Sequence, residues 1–96
     1  MITKEITISN HKDIKNIDKF LKNPVILFNH DPYTLPIGKI VAVEKDKYTG
    51  IFPDILMDQR KISQDQLEKL LKQENVNFEA MIDQEGNLLE ISLMAN

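Results

Sequence analysis

The chain has 96 residues, of which 42% are hydrophobic and 28% are charged, and its formal net charge is −3. A chain of this size predicts one small domain, residues 1–96, with a single core. Cysteine is absent, which excludes thiol catalysis, disulfides and zinc sites with cysteine ligands. The slight acidic excess and the lack of a basic cluster argue against nucleic-acid binding.

The amino-terminal sequence has no apolar signal core, and no apolar run approaches the length that spans a membrane. We therefore expect a soluble protein that is made in the cytoplasm and has no membrane partner.

The chain begins with a strand-like pattern. Ile2, Ile6 and Ile8 alternate with other residues at period two, which predicts a strand over residues 2–8. Lys4 interrupts the apolar row, and charge of this kind is typical of a strand at a sheet edge.

A helix-like pattern follows over residues 12–22, where apolar residues recur at helical spacing. Asn10 or Ser9 would cap the start of this helix, and the sequence Asn23-Pro24 would end it.

Three strands are predicted in the middle of the chain. Residues 25–28 form a continuous apolar run, which is typical of a strand covered on both faces. Residues 38–45 and 48–57 are rich in residues that favour strands. Pro53 lies inside the second of these segments, so it would mark a bulge or an edge.

The last third of the chain combines a helix with a hairpin. Ser63 and Gln66 have the spacing of a capping box and predict a helix that ends near Gln73. Residues 76–82 and 88–94 are two alternating segments joined by a turn that contains glycine, which predicts a hairpin. The order β-α-β-β-β-α-β-β predicts an α+β domain, a small and mostly antiparallel sheet or barrel with two helices.

His30 is the first candidate for chemistry, because it directly follows the apolar run 25–28. A histidine in this position can act as a general base when a nucleophile and an orienting partner lie within reach. A histidine that only ends a strand is the simpler interpretation of the same residues. Glu90, in the middle of the last strand, is either an exposed carboxylate or one directed at an imidazole.

Few residues could supply a nucleophile. Ser9 and Ser63 lie at predicted helix starts and Ser92 lies in the last strand, so each has a structural explanation. The sequence has no Gly-x-Ser-x-Gly elbow and no glycine-rich phosphate loop. His11 and His30 are the only histidines, and their spacing is not that of metal ligands. No metal or cofactor is expected.

Two segments resemble parts of the prohead maturation proteases of tailed phages, serine proteases with a fold related to herpesvirus assemblin. Residues 24–46 resemble the segment of this family that runs from a strand through the catalytic histidine to a Pro-x-Gly element, here Pro36-Ile37-Gly38, and a second strand. Residues 87–96 are similar to its closing strand. The resemblance covers roughly residues 24–57 and 75–96.

The resemblance implies a role for three positions. His30 matches the catalytic base of the family, and Glu90 matches the acidic third member of its site. The position of the serine nucleophile falls on Asn77, and the glycines that flank that serine in the family are absent. An amide cannot replace the hydroxyl, so the resemblance implies a shortened pseudo-protease without a nucleophile. His30 and Glu90 could remain as a hydrogen-bonded pair that stabilises the core.

The resemblance also implies a function in phage assembly. We expect a non-catalytic auxiliary or decoration protein of the virion that binds the major capsid protein, as a homo-oligomer or a symmetric array. The edge strand 2–8 is a candidate docking element. The alternatives are an active minimal maturation protease that uses His30 with Ser92 or Ser63, and a phage-encoded interaction or inhibitor module.

Overall fold

The computed structural model describes residues 1–56 and 60–95. Its strands are β1 (Ile2–Thr7), β2 (Val25–Phe28), β3 (Gly38–Glu44), β4 (Lys47–Phe52), β5 (Asn77–Ile82) and β6 (Leu88–Met94), and its helices are α1 (Asp18–Leu21) and α2 (Gln64–Lys72). Within this part of the chain the strands form one curled sheet, a half-barrel, in the order β1-β4-β3-β2-β6-β5. β2 and β6 are parallel, and the other neighbours are antiparallel. The predicted α+β class and the mostly antiparallel sheet are confirmed.

The core is formed by side chains of the sheet and of α2. Leu67 and Leu71 of α2 belong to the same apolar cluster as the buried strand residues, so α2 packs against the sheet. The capping box that starts α2 is confirmed, since Ser63 Oγ accepts from the Gln66 N–H and the Gln66 side chain accepts from the Ser63 N–H. The largest fully buried apolar side chains are Tyr48, Phe52, Phe78, Ile6, Ile26, Ile37, Leu67, Leu88, Ile91 and Leu93. None of the helices in the described part of the chain has the length and apolar character needed to cross a membrane.

The chain just after β1 contacts the opposite edge of the sheet. Ile8 forms a parallel bridge with Phe78 of β5, and the Ser9 N–H donates to the Phe78 carbonyl at 3.0 Å. The Asn10 side chain then pairs with the backbone of Ala80, donating to its carbonyl at 2.9 Å and accepting from its N–H at 3.0 Å. The amide of Asn10 therefore satisfies the edge of β5 as a neighbouring strand would.

The predicted helix over residues 12–22 is wrong for most of its length. A short 3-10 helix spans His11–Asp13, and α1 covers only Asp18–Leu21. Asn10 makes no cap bond, because its side chain binds β5. The backbone N–H groups of Lys15 and Asn16 both donate to the Gly86 carbonyl, which draws this segment away from a helical path. Tertiary contacts thus override the local apolar spacing.

The predicted strand over residues 48–57 is too long. β4 ends at Phe52, and Pro53 lies outside it rather than at a bulge within it. A proline has no N–H to donate to a neighbouring strand, which accounts for the stop. The predicted end at Met57 lies outside the described residues.

The predicted hairpin of β5 and β6 is confirmed, and β3 and β4 form a second hairpin. β3 and β4 pair from Lys39 to Lys47 across a tight turn in which Lys45 has a φ of 56°. β5 and β6 pair across the turn at residues 83–87. Asp83 fastens that second turn, because its carboxylate accepts from the side chain and backbone of Asn87 and from the Glu85 N–H.

Replacing Asn10 with alanine should lower the free energy of unfolding by about 1–3 kcal/mol, because both polar groups of Ala80 lose their partner. Urea unfolding followed by circular dichroism measures this change. Asn77→Ala, which removes an exposed amide from the same strand, is the control and should stay within about 0.5 kcal/mol of wild type. An Asn10→Ala loss no larger than the control would contradict this account of the β5 edge.

Acid should weaken the β5–β6 turn. The Asn87 side chain, followed by backbone N–H donors, lowers the pKa of Asp83 below its ordinary value of 3.8. The resulting stabilisation is present above that ordinary value and is lost as the pH falls through the lower folded pKa. Stability measured from about pH 5 to about pH 2 should therefore fall less for Asp83→Asn than for wild type. Asn87→Ala should also reduce this fall in stability with pH. An equal fall for wild type and both variants would show that Asp83 does not cause it.

Candidate functional site

His30 lies in a tight turn that follows β2. Both Asn29 and His30 adopt left-handed backbone conformations, with φ values of 52° and 57°, which few residues other than glycine do. The end of β6 holds this turn in place. The Asn29 N–H donates to the Leu93 carbonyl at 3.0 Å, the Ala95 N–H donates to Asn29 Oδ1 at 2.8 Å, and the His30 N–H donates to Ser92 Oγ at 3.0 Å.

The imidazole of His30 contacts the predicted acidic residue. His30 Nδ1 lies 2.5 Å from Glu90 Oε1, and Ser92 Oγ donates to the same carboxylate oxygen at 2.7 Å. Glu90 and Ser92 are two residues apart on β6 and so project from one face. The structure therefore brings His30 and Glu90 together, as expected for a hydrogen-bonded pair.

Ser92 connects the backbone of His30 to the side chain of Glu90. Its hydroxyl accepts from the His30 N–H and donates to Glu90, and its exposed fraction is 0%. A buried hydroxyl with both roles filled is well satisfied. Ser92 thus positions the histidine and the carboxylate, and it does not face the distal nitrogen of the imidazole.

That distal nitrogen faces a carboxylate on β5. His30 Nε2 is buried and has no hydrogen-bond partner in the described part of the chain. Glu79 Oε1 lies 3.8 Å away, beyond hydrogen-bonding distance. The register of the β5–β6 hairpin sets Glu79 opposite Ser92, which brings it to this face. We call His30, Glu79, Glu90 and Ser92 the His30 cluster.

Asn77 does not take part in the His30 cluster. It is exposed at the start of β5 and pairs with Met94. Asn77 lies two residues before Glu79, so the two side chains share a face of the strand. The side chain that approaches Nε2 is that of Glu79, which the sequence analysis missed. Two features of the sequence predict its position. The alternation of β5 assigns Glu79 to one face, and the register of the hairpin with β6 places it opposite Ser92.

The segment after His30 is fastened to the chain that precedes α2. Asp31 forms an ion pair with Lys61 at 2.5 Å and accepts from the Tyr33 N–H at 2.9 Å. The hydrogen bond from Lys61, and then that from Tyr33, lowers the pKa of Asp31. The Arg60 side chain donates to the Pro36 carbonyl at 2.9 Å. These contacts fix the path that leads from the His30 turn to β3.

The Pro-x-Gly element has a packing role at the start of β3. Ile37 is buried, and its N–H donates to the Ile26 carbonyl at 2.9 Å. A Cβ on Gly38 would lie 2.7 Å from both the Ile51 carbonyl oxygen and the Phe52 ring. Since the Ile51 oxygen belongs to the backbone, only glycine fits at position 38 without a shift of the sheet.

Comparisons of the chain with protein-family models, curated protein sequences and solved structures gave no match. The relationship to prohead proteases therefore remains a prediction from the two sequence segments. In the described residues, no group of three or more histidine, aspartate or glutamate side chains is arranged to hold a metal ion.

The hydroxyl of Ser92 and the carboxylate of Glu90 should stabilise the fold as a coupled pair. Ser92→Ala leaves the His30 N–H unpaired in a partly buried place and should lower the free energy of unfolding by about 1–3 kcal/mol. In a double-mutant cycle with Glu90→Gln, measured by urea unfolding, the coupling energy should be about 0.5–3 kcal/mol. Additive effects of the two substitutions would show that the hydrogen bond between them contributes nothing.

Proposed function

We propose that this protein is a non-catalytic relative of the prohead maturation proteases and serves as an auxiliary or decoration protein that binds the major capsid protein in the virion. The observation that carries the non-catalytic part of the proposal is the surroundings of His30 Nε2. This nitrogen faces the Glu79 carboxylate and has no hydroxyl partner in the described part of the chain.

Serine proteolysis needs a hydroxyl that the imidazole can deprotonate, within about 2.6–3.2 Å of the base. The Ser92 hydroxyl donates its hydrogen bond to Glu90, and Ser63 is held by the capping box of α2. Neither arrangement presents an oxygen to Nε2. The geometry therefore favours a binding role over the alternative of an active minimal protease.

The sheet offers a candidate docking element for such a role. β1 lies at one end of the strand order and pairs with β4 on its inner side. Its outward side chains Thr3, Glu5 and Thr7 are exposed. An added strand from a partner can pair with an edge of this kind, while β5, at the other end, is already engaged by Asn10. We propose that β1 docks an extended segment of the capsid protein, in a symmetric array.

The copy number of the protein in purified virions tests the capsid role. Quantitative mass spectrometry against the major capsid protein should give a ratio near a simple fraction, because a decoration protein follows capsid symmetry. Absence from mature particles, or a trace amount, would overturn the assignment to the capsid.

Proteolytic assays test the non-catalytic part separately. Incubation with unprocessed proheads should leave the capsid and scaffold proteins uncleaved for wild type and for His30→Gln alike, because among the described residues no hydroxyl is hydrogen-bonded to His30 Nε2. A fluorophosphonate probe should likewise label neither protein. Cleavage by wild type that His30→Gln abolishes would restore the protease alternative.

A further inference from the structure

Glu90 and Ser92 orient the imidazole of His30 in the way that a general base or nucleophile requires. Nδ1 lies 2.5 Å from the Glu90 carboxylate, which accepts a hydrogen bond from Nδ1–H, so that the lone pair of the neutral ring lies on Nε2. Ser92 holds Glu90 from the other side, and the backbone of His30 is held by Ser92 as well. The ring is therefore oriented by neighbours that are themselves hydrogen-bonded.

The reactive nitrogen of this ring is covered. Nε2 is buried, and the Glu79 carboxylate lies 3.8 Å from it. The side chain of Glu79 is 44% exposed, against 20% for His30, so the carboxylate lies on the solvent side of the imidazole. In the described part of the chain the carboxylate of Glu79 makes no hydrogen bond, and it lies opposite the imidazole of His30. A change of side-chain rotamer can therefore move it away.

We propose that His30 and Glu90 form a latent acyl-accepting site for small activated acyl donors and that Glu79 is its cover. This inference rests on the geometry of the His30 cluster and does not depend on the capsid assignment. It differs from proteolysis, because the imidazole itself is the nucleophile and no serine is required.

Diethyl pyrocarbonate is the probe for the first step. Nε2 attacks one carbonyl carbon, and a bond forms between that carbon and the nitrogen. The bond from the same carbon to the bridging oxygen breaks, and monoethyl carbonate leaves and decomposes to carbon dioxide and ethanol. The proton on Nδ1 passes to Glu90 and then to water. The product is a carbethoxylated histidine, which mass spectrometry locates by peptide.

Removal of the cover should expose the site. In Glu79→Ala the rate at which His30 is modified, divided by that of His11 in the same sample, should rise about tenfold, because attack needs an accessible lone pair. His11 is the internal reference. Asn77→Ala, on the same strand and face, is the matched control and should leave the ratio at its wild-type value.

Hydrolysis of p-nitrophenyl acetate provides a second readout. Glu79→Ala should hydrolyse this ester about tenfold faster than wild type through a transient acyl-imidazole, and His30→Gln combined with Glu79→Ala should return to the wild-type rate. Glu79→Val, with a branched side chain that suits a strand, repeats the test if the alanine variant loses its circular dichroism signal.

A His30 modification ratio in wild type equal to that in Glu79→Ala and Glu79→Val would overturn the proposal, since Glu79 would then cover nothing. An increase in Asn77→Ala as large as in Glu79→Ala would also overturn it, because general loosening of β5 would explain both. Neither result bears on the copy number of the protein in virions, so the two proposals fail independently.

Discussion

The parallel pairing of β2 with β6 is the contact on which the rest of the molecule depends. It sets Ile26 beside Ile91 and Phe28 beside Leu93, and it is the junction between the antiparallel set β1-β4-β3-β2 and the hairpin β5-β6. Both strands contribute fully buried side chains at this junction. Because the strands run in the same direction, the turn after β2 emerges beside the end of β6, and the His30 cluster forms there. A shift of one residue in this register would turn Glu90 and Ser92 to the opposite face of the sheet.

Local patterns predicted much of this fold because the corresponding elements are formed by local contacts. The β5–β6 hairpin and the capping box of α2 each depend on residues within a few positions of one another, and both were correct. The helix over residues 12–22 failed because Asn10 binds Ala80, a residue 70 positions away, and because Lys15 and Asn16 bind Gly86. No periodicity in a single sequence contains those partners.

The candidate site also contains residues that local sequence identified and contacts that depend on distant parts of the chain. The end of a buried strand identified His30, and the resemblance of residues 87–96 identified Glu90, but their contact depends on the β2–β6 register. The role of Ser92 follows from that register too, since its hydroxyl meets the backbone of a residue 62 positions away. Glu79 was not predicted, because the resemblance to the protease family assigns a role to Asn77 and none to Glu79. The position of Glu79 follows instead from the hairpin register, which pairs it with Ser92.

The pairing of Asn10 with Ala80 also limits how copies of this protein can join one another. A chain with two free sheet edges can stack head to tail, β1 of one copy on β5 of the next, and such contacts do not close and so grow into fibres. The amide of Asn10 occupies β5 in the middle of that edge, and Ser9 occupies its start. Sheet extension can therefore proceed from β1, and a strand added there finds no matching site on the far side of the same molecule. Because only one of the two edges accepts a strand, one partner strand can be added to the sheet, and copies of the protein do not join into a chain.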